Sequence, residues 1–237
     1  MTKQKNKFVR ALILFCAGMV AIPAQAQDDT KEASGPFDVE LTLAGVSDYR
    51  FRGISLSDRE PAFQPQLAIT HKSGFYARVW GSNIAANPGA DIEVDLVGGW
   101  SKDIGKVSLD IGATYYVYPG FSSSNYVEII GSASTAVGPG TIGVTLAYTP
   151  SQNNIGSQDN IYGGINGSLP IKGTPLTLTG SFGINDGAFG DKQKDWSAGI
   201  TADVKGFTVG LTYVDSAHTG ANPLGKPTAV FSLSRAF

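Results

Sequence analysis

The 237-residue sequence has one cysteine, two histidines and, beyond its first ten residues, no cluster of basic residues. Its cysteine, Cys16, lies in an N-terminal stretch that reads as a removable leader. Lys3, Lys5, Lys7 and Arg10 precede an apolar run over 11–22, which ends in Ala24-Gln25-Ala26. A basic region, a short apolar region and a small-x-small site, in that order, describe a secretory signal peptide over 1–26. Phe15, directly before Cys16, is too bulky for a lipoprotein start. The exported chain is then 27–237, without a thiol, which excludes disulfides and thiolate metal sites. His71 and His218 leave little for an imidazole site. The leader removes four of the 18 Lys and Arg but none of the 20 Asp and Glu, so the exported chain carries a net charge of −6. That balance argues against nucleic acid as a partner. Beyond the leader, no segment approaches the roughly 18 consecutive apolar residues of a membrane helix.

What is present is alternation with period two. Phe37, Val39, Leu41, Leu43, Tyr49 and Phe51 are apolar, while Asp38, Glu40, Thr42, Asp48, Arg50 and Arg52 between them are polar. Some 15 residues of alternation exceed a soluble strand of about 5–6 residues. They suit a tilted strand crossing an apolar layer of about 25 Å and emerging beyond it. The pattern predicts later strands near 63–71, 75–85, 91–102, 107–118, 125–137, 141–149, 158–169, 176–185, 194–204, 207–216 and 227–237. With the first, that makes 12 strands.

The connections alternate too. Tight turns are expected at 72–74, 103–106, 138–140, 170–175 and 205–206, and longer segments at 53–62, 86–90, 119–124, 150–157, 186–193 and 217–226. Short turns on one side and longer loops on the other describe an antiparallel up-and-down transmembrane β-barrel, with periplasmic turns and extracellular loops. The expected organisation is a signal peptide over 1–26, a periplasmic segment over 27–36 and a barrel over 37–237. A secreted β-sandwich would alternate as well. Against it stand the strand length, the continuous apolar face and the aromatics near strand ends: Phe37, Phe63, Phe75, Trp100, Tyr115, Tyr148, Phe207, Tyr213 and Phe237. These would form two interfacial girdles. Arg235 shares the outward face and must snorkel to the interface.

In such a barrel the polar set faces a lumen. The inward charges concentrate in the first half: Asp38, Glu40, Asp48, Arg50, Arg52, Arg78, Glu93, Asp95, Asp110 and Glu128, with Asp195 and Asp203 later. Arginines on the first wall would face carboxylates on others. Across water they would set up a transverse field acting on solutes; in contact they would form an ion-paired brace. Both readings stand at this point, because 12 strands lie between the filled barrels of about 8 and the open ones of 16–18. Tyr116 and Tyr118 would face inward near the outer mouth, as stacking faces or as lumen filling. The pore-lining candidates are therefore Asp48, Arg50, Arg52, Arg78, Glu93, Asp95, Tyr116, Tyr118 and Glu128.

Nothing in the sequence asks for catalysis. His218 lies beside Asp215 and Ser216, too close in sequence for the usual triad, and no G-x-S-x-G elbow is present. The loop carboxylates at 55–60 and 157–159 lack the twelve-residue calcium spacing, and no metal or cofactor is expected.

At Gly45-Val46-Ser47-Asp48-Tyr49-Arg50-Phe51-Arg52-Gly53-Ile54-Ser55 the sequence resembles the TorF-type porins, a bacterial family also known as Gcw_chp. The resemblance continues through Ser73-Gly74-Phe75-Tyr76-Ala77, Val79-Trp80-Gly81-Ser82-Asn83, Glu93-Val94-Asp95-Leu96, 115–120 and Asn125-Tyr126-Val127-Glu128. It implies a porin-like barrel of the bacterial outer membrane but supplies neither a solute nor a catalytic residue. The expectation is a non-enzymatic channel for passive diffusion of small hydrophilic solutes or ions. The alternative is a closed barrel acting through its outer loops as an adhesin or scaffold. Expected partners are outer-membrane lipid and lipopolysaccharide, the barrel assembly machinery through Phe237, and the solutes themselves.

Overall fold

The computed structural model describes residues 35–85 and 89–237. The expected leader and most of the expected segment 27–36 lie outside the described residues. Twelve strands close into one antiparallel barrel: β1 (Phe37–Val46), β4 (Ala62–His71), β5 (Phe75–Asn83), β6 (Ile92–Ile104), β7 (Val107–Val117), β8 (Tyr126–Val137), β9 (Gly140–Thr149), β10 (Asn160–Pro170), β11 (Leu176–Gly187), β12 (Gly190–Val204), β13 (Phe207–Ala217) and β14 (Thr228–Ala236). Each strand pairs with its neighbours in sequence, except at the hairpin β2 (Arg50–Phe51) and β3 (Ile54–Ser55), which forms a separate two-stranded sheet. The seam is β1 on β14, in register from Thr42↔Ala236 to Val46↔Ser232. It is extended by Phe237, whose N–H donates to the Leu41 carbonyl at 2.9 Å.

The barrel is apolar outside and polar inside. Leu41, Leu67, Leu96, Ile111, Val144, Ile165 and Leu211 are among the large apolar side chains that remain exposed. Gln64, Gln66, Glu93, Glu128, Thr149, Asn160 and Asn185 are buried. In water such an exterior would forfeit the hydrophobic stabilisation that organises a soluble fold. Against hydrocarbon it costs nothing, and closure gives each of the twelve barrel strands a partner on both sides. The aromatics sort to the two rims. Phe37, Phe75, Phe207 and Phe237 are exposed at the end with the short turns, and Phe63, Tyr115, Tyr148 and Tyr213 towards the other. Trp100 is half-buried and donates its indole N–H to the Ser73 carbonyl at 3.2 Å. Arg235 resolves its position on this face by lying over the rings of Phe207 and Phe237, at 5.0 and 4.9 Å.

Two local expectations are corrected. The alternation of strand one does not continue to Arg52. The strand stops at Val46, and 47–61 turns into the lumen, carrying β2 and β3. The pattern survives the turn because the inserted hairpin is itself extended. The long connection expected over 186–193 is a two-residue turn, 188–189, between β11 and β12. Asp186, Gly187, Gly190 and Asp191 read as loop residues, yet they belong to strand ends with a register shift at Asn185/Gly187.

Candidate functional site

The lumen is filled unevenly. Towards the short-turn end its inward side chains, including Asp110, Ser132, Ser134, Asn166, Ser168 and Thr179, are only half-buried. Towards the loop end the interior is packed, and what packs it is the segment 47–61.

That segment enters just after Ser47, whose N–H still donates to the Phe231 carbonyl at 2.9 Å. Arg50 then pairs with Ser55 and Phe51 with Ile54. The two turn residues, Arg52 (φ 47°) and Gly53 (φ 82°), are both left-handed, as a type I′ turn requires. Glycine is at home there, but a non-glycine residue such as Arg52 gives up roughly 1–2 kcal/mol. The base of the hairpin is an ion pair, Arg50 Nε to Asp48 Oδ2 at 2.6 Å, with the Ser55 hydroxyl donating to Asp48 Oδ1 at 2.6 Å. Arg50 Nη1 also donates to the carbonyls of Gly53, Leu224 and Lys226, at 3.0, 2.7 and 3.1 Å. Arg59 donates to the Pro223 carbonyl. The first loop is thereby tied to the last.

At the tip, Arg52 crosses the lumen. Its Nη2 meets Glu128 Oε1 on β8 at 2.7 Å, and its Nη1 donates to Asn185 Oδ1 on β11 at 3.3 Å. The guanidinium lies 4.3 Å from the centre of the Tyr162 ring on β10 and 4.7 Å from that of Phe51. Gln193 on β12 donates to the Arg52 carbonyl at 2.8 Å. Glu128 is fixed by two further donors, Tyr116 at 3.1 Å and Thr149 at 2.9 Å. Both members of this pair are buried, Glu128 with 0% of its surface exposed. Charge-assisted hydrogen bonds of this geometry are the strong ones, and together they hold Arg52 in its strained backbone.

Beside the pair lies an aromatic cluster inside the barrel. Tyr116 and Tyr126 stack at 4.4 Å, Phe51 meets Tyr116 edge-on at 6.1 Å, and Tyr49 packs on Trp80 at 5.3 Å. The Tyr118 hydroxyl donates to Glu93 Oε1 at 3.1 Å. Burial first, then the neighbouring Glu93, pushes the phenols of Tyr49 and Tyr118 well above the usual tyrosine value, so both stay protonated. Glu93 Oε2, Asp95 Oδ1 and Asp195 Oδ2 are buried without a hydrogen-bond partner.

The nine residues singled out from the sequence therefore fall into three places. Asp48, Arg50 and Arg52 sit on the inserted hairpin rather than on a wall. Glu93, Asp95, Tyr116, Tyr118 and Glu128 are on or beside the wall it packs against. Arg78 stands apart on β5, its guanidinium 4.6 Å from the Tyr76 ring, whose hydroxyl donates to Asp110 at 3.0 Å. Sequence reasoning missed Tyr162, Asn185 and Gln193, although all occupy inward positions of their strands. Ser216, beside His218, donates its hydroxyl to the Gly225 carbonyl at 2.6 Å.

Residues 30–237 match the bacterial family described as Gcw_chp, of unknown function. The chain belongs to that family. No curated protein matches it in sequence. Solved structures with the same architecture include the NanC porin in a rhombohedral crystal form, at 12% identity over 83% of this chain and 98% of that one, with a TM-score of 0.57. The KdgM porin aligns at 9% identity over 84% and 98%, with a TM-score of 0.55. The same porin in complex with disordered oligogalacturonate aligns at 9% identity over 84% and 97%, with a TM-score of 0.53. At these identities the likeness is one of fold.

Proposed function

We propose that this chain is an outer-membrane channel for passive diffusion of small hydrophilic solutes or ions, with the hairpin β2–β3 as its gate. The observation that carries the reading is that an inserted loop, and not the wall side chains alone, packs the loop end of the lumen. A 12-stranded interior wide enough to seat a hairpin is wide enough to pass a small solute once the hairpin leaves. The polar, charged interior and the fold shared with the NanC and KdgM porins support it, as does the resemblance to TorF-type porins. The short-turn end faces the periplasm and the loops face outward, the arrangement of bacterial barrels. Lipid and lipopolysaccharide then surround the apolar belt, and Phe237 serves as the handle for barrel assembly.

In the open state Arg78, Glu93, Asp95, Tyr116, Tyr118 and Glu128 line the path, while Asp48, Arg50 and Arg52 move with the gate. The test is planar-bilayer conductance of the purified barrel, wild type beside Arg50→Ala/Arg52→Ala. Removing two positive charges from a lumen rich in carboxylates should raise its current and shift its reversal potential towards cations. No current from either protein at any voltage would sink the channel reading and leave the closed scaffold.

A further inference from the structure

We propose that Glu128, Asn185 and Tyr162 form a guanidinium-binding site on the lumen wall, and that Arg52 occupies it as a tethered ligand that a guanidinium-bearing solute displaces. The proposal rests on the channel reading for the solute's route of entry, but not for the site itself.

The site is built without the hairpin. Its three residues come from β8, β11 and β10, and each is oriented by a wall neighbour. Tyr116 and Thr149 hold the two oxygens of Glu128, at 3.1 and 2.9 Å. Asn160 Nδ2 donates to Asn185 Oδ1 at 2.8 Å, turning that oxygen into the lumen. The Tyr162 hydroxyl reaches Asp195 Oδ1 at 3.4 Å. A carboxylate and an amide oxygen in reach of one planar fork, with a ring face against its plane, is the set that distinguishes guanidinium from ammonium. An ammonium would keep the charge but lose the stack and the second, in-plane contact.

Arg52 is an imperfect occupant. Its Nε is buried without a partner, and its backbone is held at φ 47°. A diffusing guanidinium makes the same contacts with Glu128, Asn185 and Tyr162 and carries no backbone strain. The surroundings favour a cation as well, since Glu93, Asp95 and Asp195 each turn an unpartnered buried oxygen into the same interior. Binding of the solute and release of the plug are then one event. The ligand competes for the wall, and the hairpin it displaces is what blocks the lumen.

The test measures binding of L-arginine, L-citrulline and L-lysine to the full barrel in detergent by calorimetry, with bilayer conductance run in parallel. Arg52→Ala vacates the site and should bind arginine more tightly than wild type does. Citrulline, the same shape without the charge, should bind roughly ten- to a hundredfold more weakly, the worth of a charge-assisted hydrogen bond, and lysine should be weakened too. Adding Glu128→Gln to Arg52→Ala should abolish the preference for arginine over citrulline. Should Arg52→Ala not fold, Gly53→Ala, which unseats the hairpin and leaves every site residue in place, should show the same arginine preference. Equal binding of arginine and citrulline, or binding indifferent to Glu128→Gln, would overturn the proposal even if the barrel conducts. Arginine binding with no current in any variant would keep the site and sink the channel.

Discussion

Replacing Gly53 by alanine adds one methyl group and removes no charge, yet it should open the barrel. The hairpin tip passes so close to the wall that a Cβ at this position would lie 2.7 Å from Ser216 Cβ and 3.0 Å from Asp195 Cβ. Carbon atoms cannot approach so closely, so the tip or two strands of the wall must shift. Overpacking of this kind costs about 1–3 kcal/mol. The backbone adds a second cost, because φ at Gly53 is +82° and left-handed alanine gives up roughly 1–2 kcal/mol. Both penalties fall on the seated hairpin and vanish when it swings out. The sum, about 2–5 kcal/mol, shifts the ratio of open to closed by roughly thirty- to several thousandfold. Single-channel open probability reads that shift directly. Trypsin added from the loop side gives a second reading, since Arg50 and Arg52, buried in the seated hairpin, become cleavable once released. Gly156→Ala is the control: its φ is +81° and nothing lies within 4 Å of its Cβ position, so it carries the backbone cost without the clash and should open nothing. If Gly53→Ala kept wild-type open probability and wild-type trypsin resistance while the barrel stayed folded, the seated hairpin could not be the gate.

Glu128→Ala should be more damaging than Arg52→Ala/Glu128→Ala, because the single change strands the Arg52 guanidinium in a buried site. A broken buried pair costs about 3–5 kcal/mol, and reversible urea unfolding in lipid vesicles with a double-mutant cycle measures the coupling. Arg50→Ala removes the donor to the Leu224 and Lys226 carbonyls, and should speed chymotryptic cleavage after Leu224 without slowing barrel assembly. Val144→Arg, on an exposed side chain midway along β9, should destabilise the lipid-inserted barrel by about 2–4 kcal/mol. The same barrel in detergent should tolerate it better; equal tolerance in both would mean that this face does not meet hydrocarbon.

The barrel itself was legible because one physical rule acts at every strand. Lipid outside and polar groups inside force period-two alternation, as in Val107/Leu109/Ile111/Ala113/Tyr115 against Ser108/Asp110/Gly112/Thr114, and the register follows. The hairpin was not legible, because alternation reports an extended backbone and not its direction. Asp48 to Ser55 reads the same whether the strand climbs on or folds back. Its turn was masked as well: the familiar signal is Asn-Gly or Asp-Gly, and here an arginine takes the first left-handed position. The charges at Arg52 and Glu128 stood out, but their contact joins residues 76 apart in sequence, and nothing local encodes it. Asn185 and Tyr162 were hidden for a different reason: neutral side chains at inward positions look like ordinary lumen lining until a guanidinium is found among them, while Gln193 lay in a segment read as a loop.

The composition of the plugged interior supports the proposed gate over a permanent brace. Around the loop end the wall buries Glu93, Asp95, Glu128 and Asp195, while the hairpin brings in Asp48, Arg50 and Arg52. Carboxylates outnumber guanidiniums, and three carboxylate oxygens and two guanidinium nitrogens, Arg50 Nη2 and Arg52 Nε, lack a partner. An unpaired polar atom in a packed interior costs roughly 1–3 kcal/mol, and an apolar filling of the same volume would be more stable. The barrel can build such a filling, as Tyr49, Trp80, Tyr116 and Tyr126 do alongside. Retaining the charges, with a strained Arg52 at the tip, keeps the closed state from becoming too deep. When the hairpin leaves, water reaches the same carboxylates and their desolvation cost disappears. Closed and open states are thereby brought within reach of each other, as a reversible gate requires and a structural plug does not.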